Sequence, residues 1–449
     1  MIPKTENASL LIKNCTLLTS DFQLVHDQTI VVNDNRLIAL GDTSALSAAY
    51  SAKVTVDAKG KLAMPGLIDS HTHTSQQLLR GRITDELPMI WTRIMVPYES
   101  RLQEKDVRIS SQLSCLEMIK SGTTSFIDAG GQHMSQTAEA VLESGLRAVL
   151  SCSTMDSGPE IVSAMKQSIE ENISRNRQLF NEYQGAGEGR LNVWFSLRSL
   201  LSCTPELIEK VFEAANDCAT GMQAHMNEYT NEINYCLEHY QMRPYEYLDT
   251  LGVLNDHFLG AHSIFMSANE MDIVKERHCH IVHCPVSNSG KGVPNTPHLL
   301  QKGIPVSLGT DGAGHTGLSL FEQMRVFKSL MRASYGAPYG DPVIMPSSSL
   351  LKMATFGGAK AMLQDDQIGT LEVGKKADFI LIDIDQPHIQ PTHNLVNTLI
   401  EAVSAKDVTH SVVDGRLLMK DRQVLTMDEE KIMYDSKLAM ESLFSHAIR

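Results

Sequence analysis

Between residues 59 and 365 the chain alternates two textures, apolar runs of strand length and longer stretches with helical spacing. The strand-like runs end in chemically capable residues. Leu62-Ala63-Met64-Pro65-Gly66-Leu67-Ile68 leads into Asp69-Ser70-His71-Thr72-His73, Phe258-Leu259-Gly260-Ala261 into His262, and Ile304-Pro305-Val306-Ser307-Leu308 into Gly309-Thr310-Asp311. Met222-Gln223-Ala224 leads in the same way into His225-Met226-Asn227-Glu228. The stretch from Ser111 to Ser121 is helical in pattern, with Gly122 as its stop. Strands alternating with helices predict a parallel sheet. Its closed form, an α/β (β/α)8 TIM barrel, gathers residues from several strand ends at one face.

The two ends of the chain read differently. Leu10-Leu11-Ile12-Lys13-Asn14-Cys15-Thr16-Leu17-Leu18 predicts a strand, and Thr29-Ile30-Val31-Val32 with Arg36-Leu37-Ile38-Ala39-Leu40 a hairpin turning at Asn33-Asp34-Asn35. Ala377-Asp378-Phe379-Ile380-Leu381-Ile382-Asp383 and residues 408–418 share that strand texture. The expected organisation is a composite β-sandwich domain from residues 1–58 and 366–425 around a barrel over 59–365. Residues 426–449, with Ile432, Met433, Leu438, Met440 and Leu443, predict a helical tail that packs on the barrel or on a partner, which leaves a homo-oligomer open.

Composition narrows the partners. The chain has 449 residues, 42% of them hydrophobic, enough for a barrel of ~250 residues and a smaller second domain. A formal net charge of −14 argues against a nucleic-acid partner and leaves small solutes as the natural ones. No uninterrupted apolar run is long enough to cross a bilayer, so no membrane partner is expected. Met1-Ile2-Pro3-Lys4-Thr5-Glu6-Asn7 lacks the basic-then-apolar order of a secretory signal, so a cytosolic protein is expected. The eight cysteines include no Cys-x-x-Cys, which predicts reduced, mostly buried thiols and a cytoplasmic protein. His278-Cys279-His280-Ile281-Val282-His283-Cys284-Pro285 reads as a barrel strand rather than a metal cluster, because Ile281 and Val282 are apolar at its centre.

Strand geometry points to a metal. Side chains alternate faces along a strand, so His71 and His73 project to one side and can present two imidazoles to one ion. Singly, His262 reads as a core histidine and Asp311-Gly312 as a turn. Jointly, His71, His73, His225, Glu228, His262 and Asp311 are what a barrel collects at its C-terminal face.

Seven motifs then resemble one family in order and spacing. They are Met64-Pro65-Gly66-Leu67-Ile68-Asp69-Ser70-His71-Thr72-His73, Leu78-Leu79-Arg80-Gly81, Gly122-Thr123-Thr124, His225-Met226-Asn227-Glu228, His283-Cys284-Pro285-Val286-Ser287-Asn288, Gly309-Thr310-Asp311-Gly312 and Ile368-Gly369-Thr370-Leu371-Glu372-Val373-Gly374-Lys375-Lys376-Ala377-Asp378. Over almost its whole length the chain resembles the metal-dependent amidohydrolase superfamily, in the aminohydrolase branch of triazine hydrolases and of S-adenosylhomocysteine/methylthioadenosine and guanine-type deaminases. The resemblance implies one divalent ion, zinc or alternatively iron, held by His71, His73, His225 and Asp311, with a water brought toward ionisation. It further implies that Glu228 moves a proton from that water to a ring nitrogen, that His262 orients the water, and that Asp311 helps carry a proton to departing ammonia. No lysine stands at a matching strand end to bridge two metals, which favours a mononuclear centre.

The implied reaction is hydrolysis of a C–N bond other than a peptide bond, a cyclic-amidine deamination of a purine, pterin or related heterocycle. A 5′-modified adenosine and a triazine are the alternatives. Two departures bear on the choice: Ile90 precedes Trp91 where 5′-modified-adenosine deaminases carry an acid, and Ser196-Leu197-Arg198-Ser199 replaces their Pro-His. Arg198, with several fixed donors, suits an oxo-bearing base, or else makes a structural ion pair at the barrel rim. Gln76 and Gln77 are candidates to read an amide or amidine edge, Trp91 to line the substrate, and His315 to meet it or stand behind it.

Overall fold

The structure, a computed structural model, describes residues 6–87, 89–158 and 160–445. Met1-Ile2-Pro3-Lys4, read above for targeting, and the last four residues of the predicted tail lie outside them. Eight parallel strands form the barrel: Leu67–Thr72, Thr123–Asp128, Arg147–Leu150, a strand broken at Trp194 into Leu191–Val193 and Phe195–Leu197, Met222–Met226, Phe258–His262, His280–His283 and Val306–Leu308. Sequential neighbours pair in parallel register, apart from the step at Trp194. His280-Ile281-Val282-His283 is a barrel strand, as its apolar centre predicts.

The eighth strand returns to the first through a specific clasp. Thr310 and Asp311 donate their backbone N–H groups to the His71 carbonyl at 3.1 and 2.9 Å, and the Asp69 carboxylate accepts the Thr310 N–H at 3.0 Å and its hydroxyl at 2.6 Å. Gly309 permits the approach, since a Cβ there would lie 2.7 Å from the His71 carbonyl oxygen. The contacts that close the barrel thus run through the residues beside His71 and Asp311.

Inside the strands, Ile68, Ile127, Val149, Trp194, Leu259 and Val282 form one buried cluster with Ala359, Met362 and Ile368. The helix Glu104–Ser121 packs outside and ends at Gly122, whose φ of 87° is the left-handed cap glycine supplies without penalty.

The terminal segments build one continuous nine-stranded sheet rather than two separate ones. Glu6–Leu18 pairs antiparallel with Leu24–Asn33 and parallel with both Tyr50–Asp57 and Lys61–Pro65, and the last of these pairs with Phe379–Asp383. The sheet encloses a core of its own in which Ile12, Ile30, Val56, Ala63, Phe379 and Val412 meet. Two runs divide where the pattern showed one. The first apolar run crosses at Gly66 from this sheet into the barrel, and residues 408–418 break at Asp414-Gly415 (φ 51° and 76°) into the hairpin Val408–Val413 and Arg416–Lys420. The helix Glu429–Phe444 packs on the Glu104–Ser121 helix, with Phe444 stacked on Tyr98; Met433, Leu438 and Met440 stay exposed.

A buried ion network fastens barrel to sheet. On the third barrel strand Arg147 donates to Asp378 at 2.8 and 3.2 Å and to Asp414 at 3.2 Å, and Lys376 lies 3.0 Å from Asp414. These side chains make the Lys376-Ala377-Asp378 motif structural. Arg147→Met leaves buried Asp378 without its cation and Asp414 with Lys376 alone, so urea denaturation should show a loss of about 3–5 kcal/mol. A midpoint within 0.5 kcal/mol of wild type would refute this role.

Candidate metal centre

Three histidines and one aspartate converge at the C-terminal mouth of the barrel. His71 is the last residue but one of the first strand, and His73, one step beyond that strand, caps the short 3-10 helix Thr74–Leu79; His225 lies in the fifth strand and Asp311 beyond the eighth. His73 Nε2 is 3.2 Å from His225 Nε2, and Asp311 Oδ1 is 3.4 Å from His71 Nε2 and 3.6 Å from His73 Nε2. Tetrahedral bonds of 2.0–2.1 Å to one ion imply ligand–ligand separations of roughly 3.3 Å. Burial, then neighbouring cations, hold His73 and His225 well below the usual histidine range, so they are neutral with lone pairs to offer. Both ring nitrogens of His71 and Nδ1 of His73 are buried without a hydrogen-bond partner. The donor set therefore fits one divalent ion.

Beside it, Glu228, His262 and Asp311 bring one donor atom each within 4.8 Å of one another. The Asn288 amide fixes His262: its nitrogen donates to His262 Nδ1 at 3.0 Å and to the Cys284 carbonyl at 3.3 Å, while its oxygen accepts the Cys284 N–H at 3.2 Å. His262 then carries its proton on Nε2, which points toward Glu228 Oε1 at 3.8 Å. Burial alone would raise the carboxyls of Glu228 and Asp311. The facing His262 and Lys291 outweigh it and keep both ionised, Asp311 well below the usual carboxylate range. His262, Asn227 and Asp311 all sit at positive φ (67°, 47° and 63°), strain of about 1–3 kcal/mol each that surrounding bonds must hold.

The other predicted residues divide. Trp91, Arg198 and His315 line the same cavity as His73, Glu228 and Asp311, with His315 Nε2 3.6 Å from Asp311 Oδ2. Arg198 makes an ion pair, to Glu99 at 3.1 Å, yet its Nη1 remains buried and unpartnered at the cavity wall. Gln76 and Gln77 do not line the cavity. Gln76 donates to Glu99 at 2.6 Å behind Arg198, and Gln77 is held by Glu117 and Ser114, because the 3-10 turn after His73 rotates both into the wall. Glu99, Tyr229, Glu232 and Lys291 went unread. Glu99 lies on the one-turn helix Val96–Glu99, where nothing in the pattern marks it, and Lys291 stands in the loop after the helix Pro285–Ser289. The cavity holds about 30 Å³, small against roughly 300–1,000 Å³ for ligand pockets.

A (β/α)8 barrel with a His3Asp donor set and an adjacent Glu–His pair defines a metal-dependent hydrolase. Comparison with known proteins makes the class specific: the Amidohydrolase family model matches residues 62–418, and the chain belongs to that family. It is 34% identical over 446 residues to the 5′-deoxyadenosine deaminase of Methanosarcina acetivorans, covering 98% of this chain and 99% of that one. It is 36% identical over 436 residues to the 5-methylthioadenosine/S-adenosylhomocysteine deaminase of Pelotomaculum thermopropionicum, covering 96% and 98%. Among solved structures it is similar to an adenosine deaminase from Xanthomonas campestris with bound zinc (TM-score 0.92, 25% identity, 98% and 100% covered). The zinc complex of atrazine chlorohydrolase from Arthrobacter aurescens TC1 shares the fold (TM-score 0.87, 23% identity, 96% and 100% covered).

Proposed function

We propose that the chain is a metal-dependent hydrolytic deaminase that replaces the exocyclic amino group of an N-heterocycle, a purine in the first place, and releases ammonia. The observation that carries this is the shared Asp311, which faces both the His71–His73–His225 set and the Glu228–His262 pair. These four ligands would hold one zinc ion, with iron the alternative. A divalent ion there supplies Lewis acidity, bringing a water's proton within reach of a carboxylate near neutral pH.

Glu228 takes that proton and delivers it to the ring nitrogen beside the amino-bearing carbon, making the carbon more electrophilic. The Nε2–H of His262 stabilises charge developing on the attacking oxygen. The water oxygen bonds to the amino-bearing carbon, Asp311 passes that oxygen's remaining proton to the amino group, the C–N bond breaks, and ammonia departs to leave a ring carbonyl. We place the enzyme in the cytoplasm on its eight unpaired cysteines, seven of them buried.

Two substrate readings are distinguishable. Arg198, with Nη1 unpartnered at the wall, favours a ring carbonyl; the full-length relatives favour a 5′-modified adenosine. An ammonia-release screen over guanine-like bases, pterins and 5′-deoxyadenosine tests both, and silence across all of them sinks the deaminase reading. If a ring carbonyl is bound, Arg198→Met lowers kcat/KM for the oxo-bearing base by about 10²-fold and affects 5′-deoxyadenosine far less. Equal losses on both would instead assign Arg198 to holding Glu99.

A further inference from the structure

Lys291 is a cation that the proposed chemistry does not call for, yet it stands among the reacting groups. Its Nζ donates to Glu228 Oε1 at 2.6 Å and to Ser287 Oγ at 2.9 Å, and lies 3.8 Å from Asp311 Oδ2. The ammonium sits 5.1 Å from the Tyr229 ring centroid, and the side chain is 9% exposed. Burying an ammonium at this depth is costly unless fixed anions answer it, and here two carboxylates do. The residue comes from the loop after the short helix Pro285–Ser289, the same helix that carries Asn288 to His262 and Ser287 to Asp311. One short segment thus orients all three members of the Glu228–His262–Asp311 group.

We infer that Lys291 is a positioning residue for the deamination: it holds Glu228 by Oε1 and so leaves Oε2 as the oxygen that exchanges a proton with water and ring. The inference rests on the deaminase reading above. A carboxylate bound by one oxygen has a fixed rotamer and one free face. Without the lysine, Glu228, two residues beyond the fifth strand and next to Asn227 at positive φ, turns about its χ bonds, and a proton donor misplaced by about 1 Å can cost 10²-fold in rate. Substrate contacts at Arg198 and Trp91 do not depend on this bond, so binding changes little.

The test is kinetic and analytical together. Lys291→Met and Lys291→Gln are compared with wild type for kcat, KM, metal content and thermal midpoint, on a substrate from which wild type releases ammonia. A fall in kcat of about 10²-fold in both variants, with KM within threefold and metal content and midpoint unchanged, supports the positioning role. A kcat within threefold of wild type, a change confined to KM, or a fall that tracks loss of metal or of the thermal midpoint overturns it. Absence of ammonia release by wild type itself overturns the deaminase reading and this inference together.

Discussion

Glu228→Gln should lower kcat by roughly 10²–10⁴-fold while the protein keeps its fold, its metal content and most of its substrate affinity. The amide matches the carboxylate in shape, and its oxygen still accepts from Lys291, so the bond at 2.6 Å persists. It cannot take a proton from water, and the ring nitrogen goes unprotonated. The ligands His71, His73, His225 and Asp311 are untouched, so the ion per chain should be as in wild type. Steady-state kinetics with metal analysis on the same preparation decides the matter. A variant with more than a tenth of wild-type kcat assigns the proton transfer elsewhere.

Chelation should abolish ammonia release altogether, and one equivalent of a divalent ion should restore it. The neutral His73 and His225, facing each other at 3.2 Å, and the ionised Asp311 form a preorganised set of donors with no alternative partner for several of their atoms. His225→Ala removes one corner and should leave less than a tenth of the metal content. Reconstitution with zinc against iron(II) tells which ion gives the higher kcat. A return of activity requiring two ions per chain would contradict the mononuclear assignment, because the second donor group already carries the Lys291 ammonium. Full activity in exhaustively chelated protein would remove the metal from the mechanism.

The residues legible beforehand share one property. His71, His225 and His262 stand at or near the carboxyl ends of apolar strand runs in a parallel-barrel pattern, and Asp311 comes three residues after the strand Val306–Leu308. Once the chain is read as a barrel, a polar residue at a strand's carboxyl end has only one place to go. Gln76 and Gln77 follow His73 just as closely, but a 3-10 turn intervenes and rotates them into the wall. Lys291 and Glu99 reach the site from a loop and from a one-turn helix, where no periodicity predicts direction.

Asp69 shows the same divide within a single run. Its position in a strand followed from the pattern; its task, clasping Thr310 across the seam, depends on a partner 241 residues away. Residues 408–418 read as one strand-like run; neither their break at Asp414-Gly415 nor the pairing of Asp414 with Arg147 followed from the pattern.

Local periodicity and strand-end chemistry, which depend only on near neighbours along the chain, determined the barrel, the terminal β-structure and the identity of the metal-competent residues. Tertiary packing decided the rest: which side chains of the rim face the cavity, that Arg198 is half engaged by Glu99 and half free, and that a lysine bridges Glu228 and Asp311. Those contacts join segments tens to hundreds of residues apart, and only the closed barrel brings them within bonding distance.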